Sequence, residues 1–344
     1  MQNERFSRAS RRADGPIEKV SPLQLVSFFA TLRQFGTWTV CLILATATAI
    51  AGCGTRVEIP ASLLKKGKVQ GSTWEGFQVD LRFSETKSQD LKDVAKLPNL
   101  QSLVLGDSQI SDDMLAELAN CQSLRSLSLP QTQITDAGLV HVARLQSLES
   151  LELAGTQVTD AGLQLLHSLP KLRSLGLADT AISDSGLAHL RGLPLHDLSL
   201  SGTKVSVAGL LQLDSQQVLE NLNLCNTSIT APDSPRWPEF KNLKQLSLAY
   251  TSVSDEIVNW IVQLPNLERL DLSYTTLDDR QLGALSQASH LTNLNLHGTS
   301  VTDAGLASVP KFARLTYVNL GKSQVTATMI ANLERTSQHL TIAR

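Results

Sequence analysis

Six apolar positions recur in phase along most of the chain. Counting from the leucine that opens L-x-x-L-x-L, the pattern starts at Leu100, Leu124, Leu148, Leu172, Leu195, Leu219, Leu243, Leu267, Leu291 and Leu315. Successive starts lie 24 residues apart, except for one step of 23 between Leu172 and Leu195. The ten units, called repeats 1 to 10 below, read approximately L-x-x-L-x-L-x-x-T-x-I-T-D-x-G-L-x-x-L-x-x-L-P-x. A degenerate unit precedes them at 76–99 and keeps Val79, Leu81, Leu91, Val94 and Leu97 in the same slots.

Each slot has a physical reading, taken here from repeat 3. Leu148, Leu151 and Leu153 end in a period-two alternation, which predicts a short strand with its apolar side turned inward. Val158 follows a turn and points back into that core. Thr159 or Asp160 supplies an oxygen to cap a short helix. Leu163, Leu166 and Leu169 recur every three residues, on one face of a helix or tight helical turn. Gly162 falls early in that helix, where its use is to let neighbouring coils approach closely. One strand and one helical turn cannot bury an apolar face alone, but identical units stacked side by side can.

Slot nine holds Thr132, Thr156, Thr180, Thr203, Thr227, Thr251, Thr275 and Thr299, with Ser108 and Ser323 at the ends. Stacked in register, these form a hydroxyl ladder that bonds backbone groups at the turn. As a row of nucleophiles they make no sense, because no base recurs beside them.

With these slots in hand, the chain resembles the leucine-rich repeat family, whose L-x-x-L-x-L-x-x-N/C-x-L consensus it matches with threonine in place of Asn/Cys. The T/S-D-x-G-L segment is similar to repeats of ribonuclease-inhibitor-like and F-box-associated proteins. The resemblance runs from about Gly76 to Ile342. It implies an α/β fold, a right-handed horseshoe solenoid with a parallel sheet on the concave face and short helical turns on the convex face. It also implies a binding surface for a protein, or a glycan, rather than an active site. The F-box analogy would make the chain an intracellular adaptor or substrate-recognition subunit, but nothing in residues 1–75 reads as an F-box domain.

The N-terminus argues for export instead. An uncharged run from Thr37 to Gly54 follows Arg33 and earlier arginines. It is shorter than the roughly 20 residues of a membrane span and suits a signal-peptide core. Ile50-Ala51-Gly52-Cys53 resembles the bacterial lipobox, which makes Cys53 the lipid acceptor. Arg11-Arg12 hints at a twin-arginine signal, although Ala13, Asp14 and Gly15 stand where apolar residues belong. The domain reading is therefore a leader at 1–52, a tether at 53–75, a degenerate capping repeat at 76–99, ten repeats at 100–338 and a C-terminal cap at 339–344. The expected product is a monomer in the cell envelope, held at the periplasmic or surface face by lipid.

Composition agrees with a scaffold. The full chain carries 30 basic and 32 acidic side chains, and 24 against 29 remain once the leader is removed. No strong positive field is left to attract nucleic acid. Cys121 and Cys225 fall several layers apart, which forbids a disulfide. The chain has no H-E-x-x-H, G-x-S-x-G or C-x-x-C. Gly321-Lys322-Ser323 imitates the end of a phosphate loop but occupies ordinary repeat slots. His141 and His189 share a helix slot two layers apart, too far for one ion, and read as solvated surface groups. No metal, cofactor or catalytic residue is expected.

The outward strand slots three and five, with slots seven and eight at the rim, remain. In repeats 1 to 4 slot three is Ser102, Ser126, Ser150 and Ser174, a bland face. Repeats 6 to 10 are richer, with Asn221 beside the candidate partner-binding set: Asn223, Tyr250, Arg269, Asp271, Tyr274, Asn293, Asn295, His297, Tyr317 and Asn319. All three tyrosines of the chain fall on this surface, and Tyr, Arg and Asn are side chains that recognition surfaces favour. Repeat 6 also carries Pro232, Pro235 and Pro238 where a helical turn belongs. Trp237 and Phe240 then have to fill its core slots from an extended segment.

Overall fold

A computed structural model describes residues 59–72, 75–213, 218–229 and 236–344. The leader and Cys53 lie outside the described residues. Thirteen strands form one sheet in chain order. They are β1 (Lys68–Ser72), β2 (Gly76–Asp80), β3 (Leu100–Val104), β4 (Ser126–Ser128), β5 (Ser150–Glu152), β6 (Ser174–Gly176) and β7 (Asp197–Ser199), followed by β8 (Asn221–Asn223), β9 (Gln245–Ser247), β10 (Arg269–Asp271), β11 (Asn293–Asn295), β12 (Tyr317–Asn319) and β13 (Thr341–Ala343). Only β1 runs antiparallel to its neighbour; every later pair is parallel. The register follows the repeat, with Leu127 opposite Leu151 and Leu151 opposite Leu175.

The apolar slots form one continuous core. Leu148, Leu151, Leu153, Val158, Leu163, Leu166 and Leu169 are all buried in repeat 3, and their counterparts above and below are buried with them. Between Ser150 and Leu151 the alternation holds, the serine half-buried and the leucine sealed. Outside repeat 6 the helical turn begins as α-helix and in several repeats tightens to 3-10, as at Asp160–Leu163 and Gln164–Ser168.

The hydroxyl ladder is present. Each slot-nine threonine is buried and donates to the carbonyl three residues back, for example Thr156 Oγ1 to Leu153 O at 2.6 Å and Thr299 Oγ1 to Leu296 O at 2.8 Å. In repeats 3 and 9 the same carbonyls also accept the threonine's own backbone N–H at 3.2 Å, so the hydroxyl reinforces a turn at the strand end.

The T/S-D-x-G-L segment keeps the capping role expected of it and adds a second one for its aspartate. The Thr or Ser is the N-cap, and its hydroxyl accepts the N–H two residues on in repeats 2, 4, 5 and 9. The aspartate reaches across to the next repeat. Asp136 accepts both the N–H of Thr159 (2.8 Å) and its hydroxyl (2.6 Å). Asp112, Asp160, Asp184, Asp279 and Asp303 hold Thr135, Ser183, Ser206, Thr302 and Thr326 in the same way. The glycine makes room for this lock. A Cβ at Gly138, Gly162, Gly186, Gly209 or Gly305 would land on the carboxylate of the preceding repeat's aspartate.

The locks stop between Ser206 and Asp279. Repeat 5 has Val207 in the aspartate slot, and Asp255 of repeat 7 meets Arg280 and Gln281 instead. Aromatics hold this stretch. Phe240 is buried, Trp237 is half-buried and stacks on Trp260 at 5.2 Å, and Trp260 donates its indole N–H to Pro238 O at 2.9 Å. Phe240 and Trp237 fill the slots predicted for them; Trp260, from the next repeat, completes the cluster.

Two boundaries of the sequence reading change. Part of the expected tether is folded: Ala61–Lys66 is a helix, and β1 pairs with β2 along its whole length. Leu63 is sealed in the core there, while Lys65, Lys66 and Lys68 around it hide that role in a hydropathy pattern. At the other end the expected cap contains β13, which extends the sheet.

Candidate functional site

The open face of the sheet carries a groove of about 460 Å³ that runs from Glu152 on β5 to Tyr317 on β12. Its floor consists of slots three and five. Six of the ten expected partner-binding residues line it: Asn223, Arg269, Asp271, Asn293, Asn295 and Tyr317. Asn319 sits beside Tyr317 on β12, just outside the lining. The groove also takes in Glu152, Asp197, Asn221 and Gln245, so it begins four repeats earlier than the tyrosines alone indicate.

Tyr250, Tyr274 and His297 form a separate cluster on the rim. The two tyrosine rings stack with centroids 4.6 Å apart and planes 14° from parallel, close to the strand spacing that places them side by side. His297 meets Tyr274 edge-on at 5.1 Å, and its Nε2 lies 3.0 Å from the Tyr274 hydroxyl. Lys322 completes the group, donating to that hydroxyl at 3.2 Å with its ammonium 5.7 Å from the ring centre. The backbone of Gly298 leaves space for the Tyr274 ring, which a Cβ there would strike. Desolvation against this cluster raises the Tyr250 phenol above its ordinary pKa, helped by the neighbouring Tyr274.

Backbone conformation singles these tyrosines out. Slot eight has a positive φ in all ten repeats, from 53° to 68°. Its occupants are Asp107, Gln131, Gly155, Asp179, Gly202, Asn226, Tyr250, Tyr274, Gly298 and Lys322. Gly, Asn and Asp tolerate that left-handed region, whereas a Cβ bearing a bulky group pays about 1–2 kcal/mol. Repeats 7 and 8 nonetheless place tyrosine there, and leave the rings 57% and 39% exposed. Burial therefore does not account for them.

The polar floor residues are more constrained than the sequence indicates. Asn223, Asp271, Asn295 and Asn319, all in slot five, accept the N–H two residues on, at Cys225, Ser273, His297 and Gly321. These bonds shape the turn that leads to slot eight. Half of each side chain is thus structural and half faces the groove. Lys322, Asn221 and Gln245 stand outside the expected set. The clue to Lys322 is its place in slot eight two repeats from Tyr274.

Other side-chain chemistry is sparse. Among the described residues no cluster of His, Cys, Asp and Glu could hold a metal ion, and no helix is long and apolar enough to cross a membrane. His141 departs from the solvated reading: it is half-buried, and its Nδ1 is enclosed without a partner. Cys121 and Cys225 are free thiols, and burial pushes that of Cys121 up to about 11.

No curated protein matches this chain in sequence. Solved structures do match in shape. The chain is similar to one in the mouse RP105/MD-1 complex, at 22% identity and TM-score 0.53 over 73% of this chain and 44% of that one. It is similar to an internalin of Listeria monocytogenes at 20% identity and TM-score 0.51, over 77% and 86%. A leucine-rich repeat protein of Leptospira interrogans aligns at 18% identity and TM-score 0.51, over 74% and 62%. The chain thus spans less than half the length of the mouse chain, and at these identities the likeness concerns the fold. The model of the leucine-rich repeat region matches residues 78–340, nearly the whole stack of strands and locks described above, and the chain belongs to the leucine-rich repeat family.

Proposed function

We propose that this protein is a non-enzymatic scaffold that binds a protein partner through the groove and tyrosine rim of repeats 6 to 10. The observation that carries the reading is the pair Tyr250 and Tyr274. Both occupy a backbone conformation that disfavours them and both stay exposed; they are held by stacking on each other, and His297 and Lys322 fix Tyr274 further. Strain of this kind persists where a site requires the side chain. Tyrosine suits such a role because it covers a large area while losing little freedom.

Replacing Tyr274 or Arg269 by alanine should weaken partner binding by roughly 1–3 kcal/mol. Changing Ser126 and Ser150 together to alanine, on the bland part of the sheet, should leave affinity alone. An affinity loss from the serine pair with none from Tyr274 or Arg269 would remove the site from this half.

The same proposal includes export from a bacterial cytoplasm and a lipid anchor at Cys53, supported by the uncharged run and by Ile50-Ala51-Gly52-Cys53. Cys53→Ser should move the protein from the detergent phase to the aqueous phase on partitioning. Unchanged membrane partitioning would make an uncleaved helix the anchor.

A further inference from the structure

We propose that the part of the partner held by repeats 6 to 10 is an extended, acidic peptide segment, with its carboxylates over β10 to β12. This rests on the binding role of the groove proposed above and adds the chemistry of what enters it.

The inference starts from which atoms the floor leaves free. Asn223, Asn295 and Asn319 each turn one side-chain atom toward a backbone N–H, at 3.0, 3.2 and 3.0 Å. A backbone N–H can only donate, so the facing atom must be the oxygen. The acceptor of each carboxamide is thereby occupied, and the amide nitrogen is left for the groove. On β11 Asn293 meets the Thr292 hydroxyl at 2.9 Å, a group that also donates to Glu268 O, so this contact does not fix which carboxamide atom faces the groove. Asn223 and Asn295 in the groove and Asn319 at its edge therefore offer N–H donors, and a ligand that satisfies them must be rich in acceptors.

Charge adds a sign to that requirement. Arg269 is exposed on β10 and forms no ion pair among the described residues, and Lys322 on the rim meets the hydroxyl and ring of Tyr274. Two cations at the entry edge of the same sheet are matched instead: Lys244 pairs with Glu220 and Arg125 with Glu149, each at 2.9 Å. The opposing charges near Arg269 are Asp271 on its own strand, which already accepts the Ser273 N–H, and Glu268 at the entry edge. At the other end the groove carries Glu152 and Asp197. A segment with acidic residues toward β12 and neutral or basic ones toward β5 fits both ends, so the groove also sets its direction.

Geometry favours an extended chain. From β8 to β12 the floor spans four strand spacings, about 19 Å, which some six residues of extended peptide cover. Along that length peptide carbonyls and Asp or Glu side chains supply the acceptors that the carboxamides, Arg269 and Lys322 lack.

The test uses the full chain against an array of synthetic peptides graded in net charge, with a glycan array alongside. Binding should rise with Asp and Glu content and weaken as salt is added. The decisive variant is Asn295→Asp with Asn319→Asp. Asp271 shows that a slot-five carboxylate accepts the same backbone N–H, so the fold should survive, as an unchanged unfolding transition would confirm. The donors become acceptors, and affinity for the best acidic peptide should fall about tenfold or more. Arg269→Gln should act in the same direction. Preference for basic or uncharged peptides, binding to the glycan array alone, or indifference to the double substitution would each overturn the inference. Tyrosine-dependent binding of a protein partner with no charge preference would overturn it while leaving the proposed function intact.

Discussion

Repeats 2 to 5 and repeats 6 to 10 share one backbone pattern but use their polar side chains differently. In the first group aspartate, threonine or serine, and glycine interlock from one repeat to the next, as in Asp160 with Ser183 and Gly186. The sheet face there is serine, glycine, Glu152 and Asp197, and slot eight holds Gln131, Gly155, Asp179 and Gly202. In the second group the locks lapse after Ser206 and resume only at Asp279, and proline, tryptophan and an exposed Arg280–Asp255 pair take their place. The sheet face turns to asparagine, arginine and tyrosine, and slot eight takes on strained aromatics. Polar groups that stabilise the stack in one region are directed outward in the other. The lapse in the locks overlaps the recognition surface only in part: Tyr250 falls within it, whereas β11 and β12 belong to repeats whose locks are intact.

The largest expected effect tests the shared core. Leu151→Ala should cost about 2–5 kcal/mol through lost burial and an unfilled cavity. Ser150→Ala, one residue away on the open face, should cost under about 0.5 kcal/mol. Equal losses in chemical denaturation would mean the strand register is wrong.

A smaller effect sharpens the contrast between regions. Gly186→Ala forces a methyl group onto the Asp160 carboxylate and should destabilise by about 1–3 kcal/mol. Asp160→Ala removes the acceptor of the Ser183 N–H and hydroxyl, at about 1–2 kcal/mol. Combined, the two should cost less than their sum by about 1 kcal/mol, because the alanine then occupies the vacated space. Asp255→Ala, in the region without locks, loses only an exposed ion pair and a hydrogen bond and should cost under about 1 kcal/mol. Strict additivity at Gly186 and Asp160 would show that the glycine serves something other than the lock.

How much of this was legible in the sequence follows from what period and composition can carry. Leucines such as Leu151 and threonines such as Thr156 repeat in every layer, so their slots reveal strand, core and hydroxyl ladder directly. Asp160 repeats as well, but its partner lies 23 residues ahead, and a local reading assigns it to its own helix instead. Leu63 escaped because it lies outside the repeat period, and its neighbour Leu64 is exposed although equally apolar. On the open face, composition located the tyrosines, Arg269 and the asparagines. It could not show that the oxygens of Asn223, Asn295 and Asn319 are already occupied, which depends on a turn two residues away. The strain at Tyr250 was visible in outline: Gly, Asp and Asn dominate slot eight, and that preference marks a left-handed position in which tyrosine is out of place.

That misplacement supplies the most direct test of the central claim. Tyr250→Asn puts at slot eight the residue that repeat 6 carries there as Asn226. Two quantities should be measured on the same protein: unfolding free energy by denaturant titration, and affinity for the partner. Relief of the left-handed strain offsets the lost ring stacking, so stability should stay within about 1 kcal/mol of the parent or rise. Partner affinity should fall by roughly 1–3 kcal/mol. A variant that loses stability while binding its partner as well as the parent does would show that Tyr250 serves the fold, and would contradict the account.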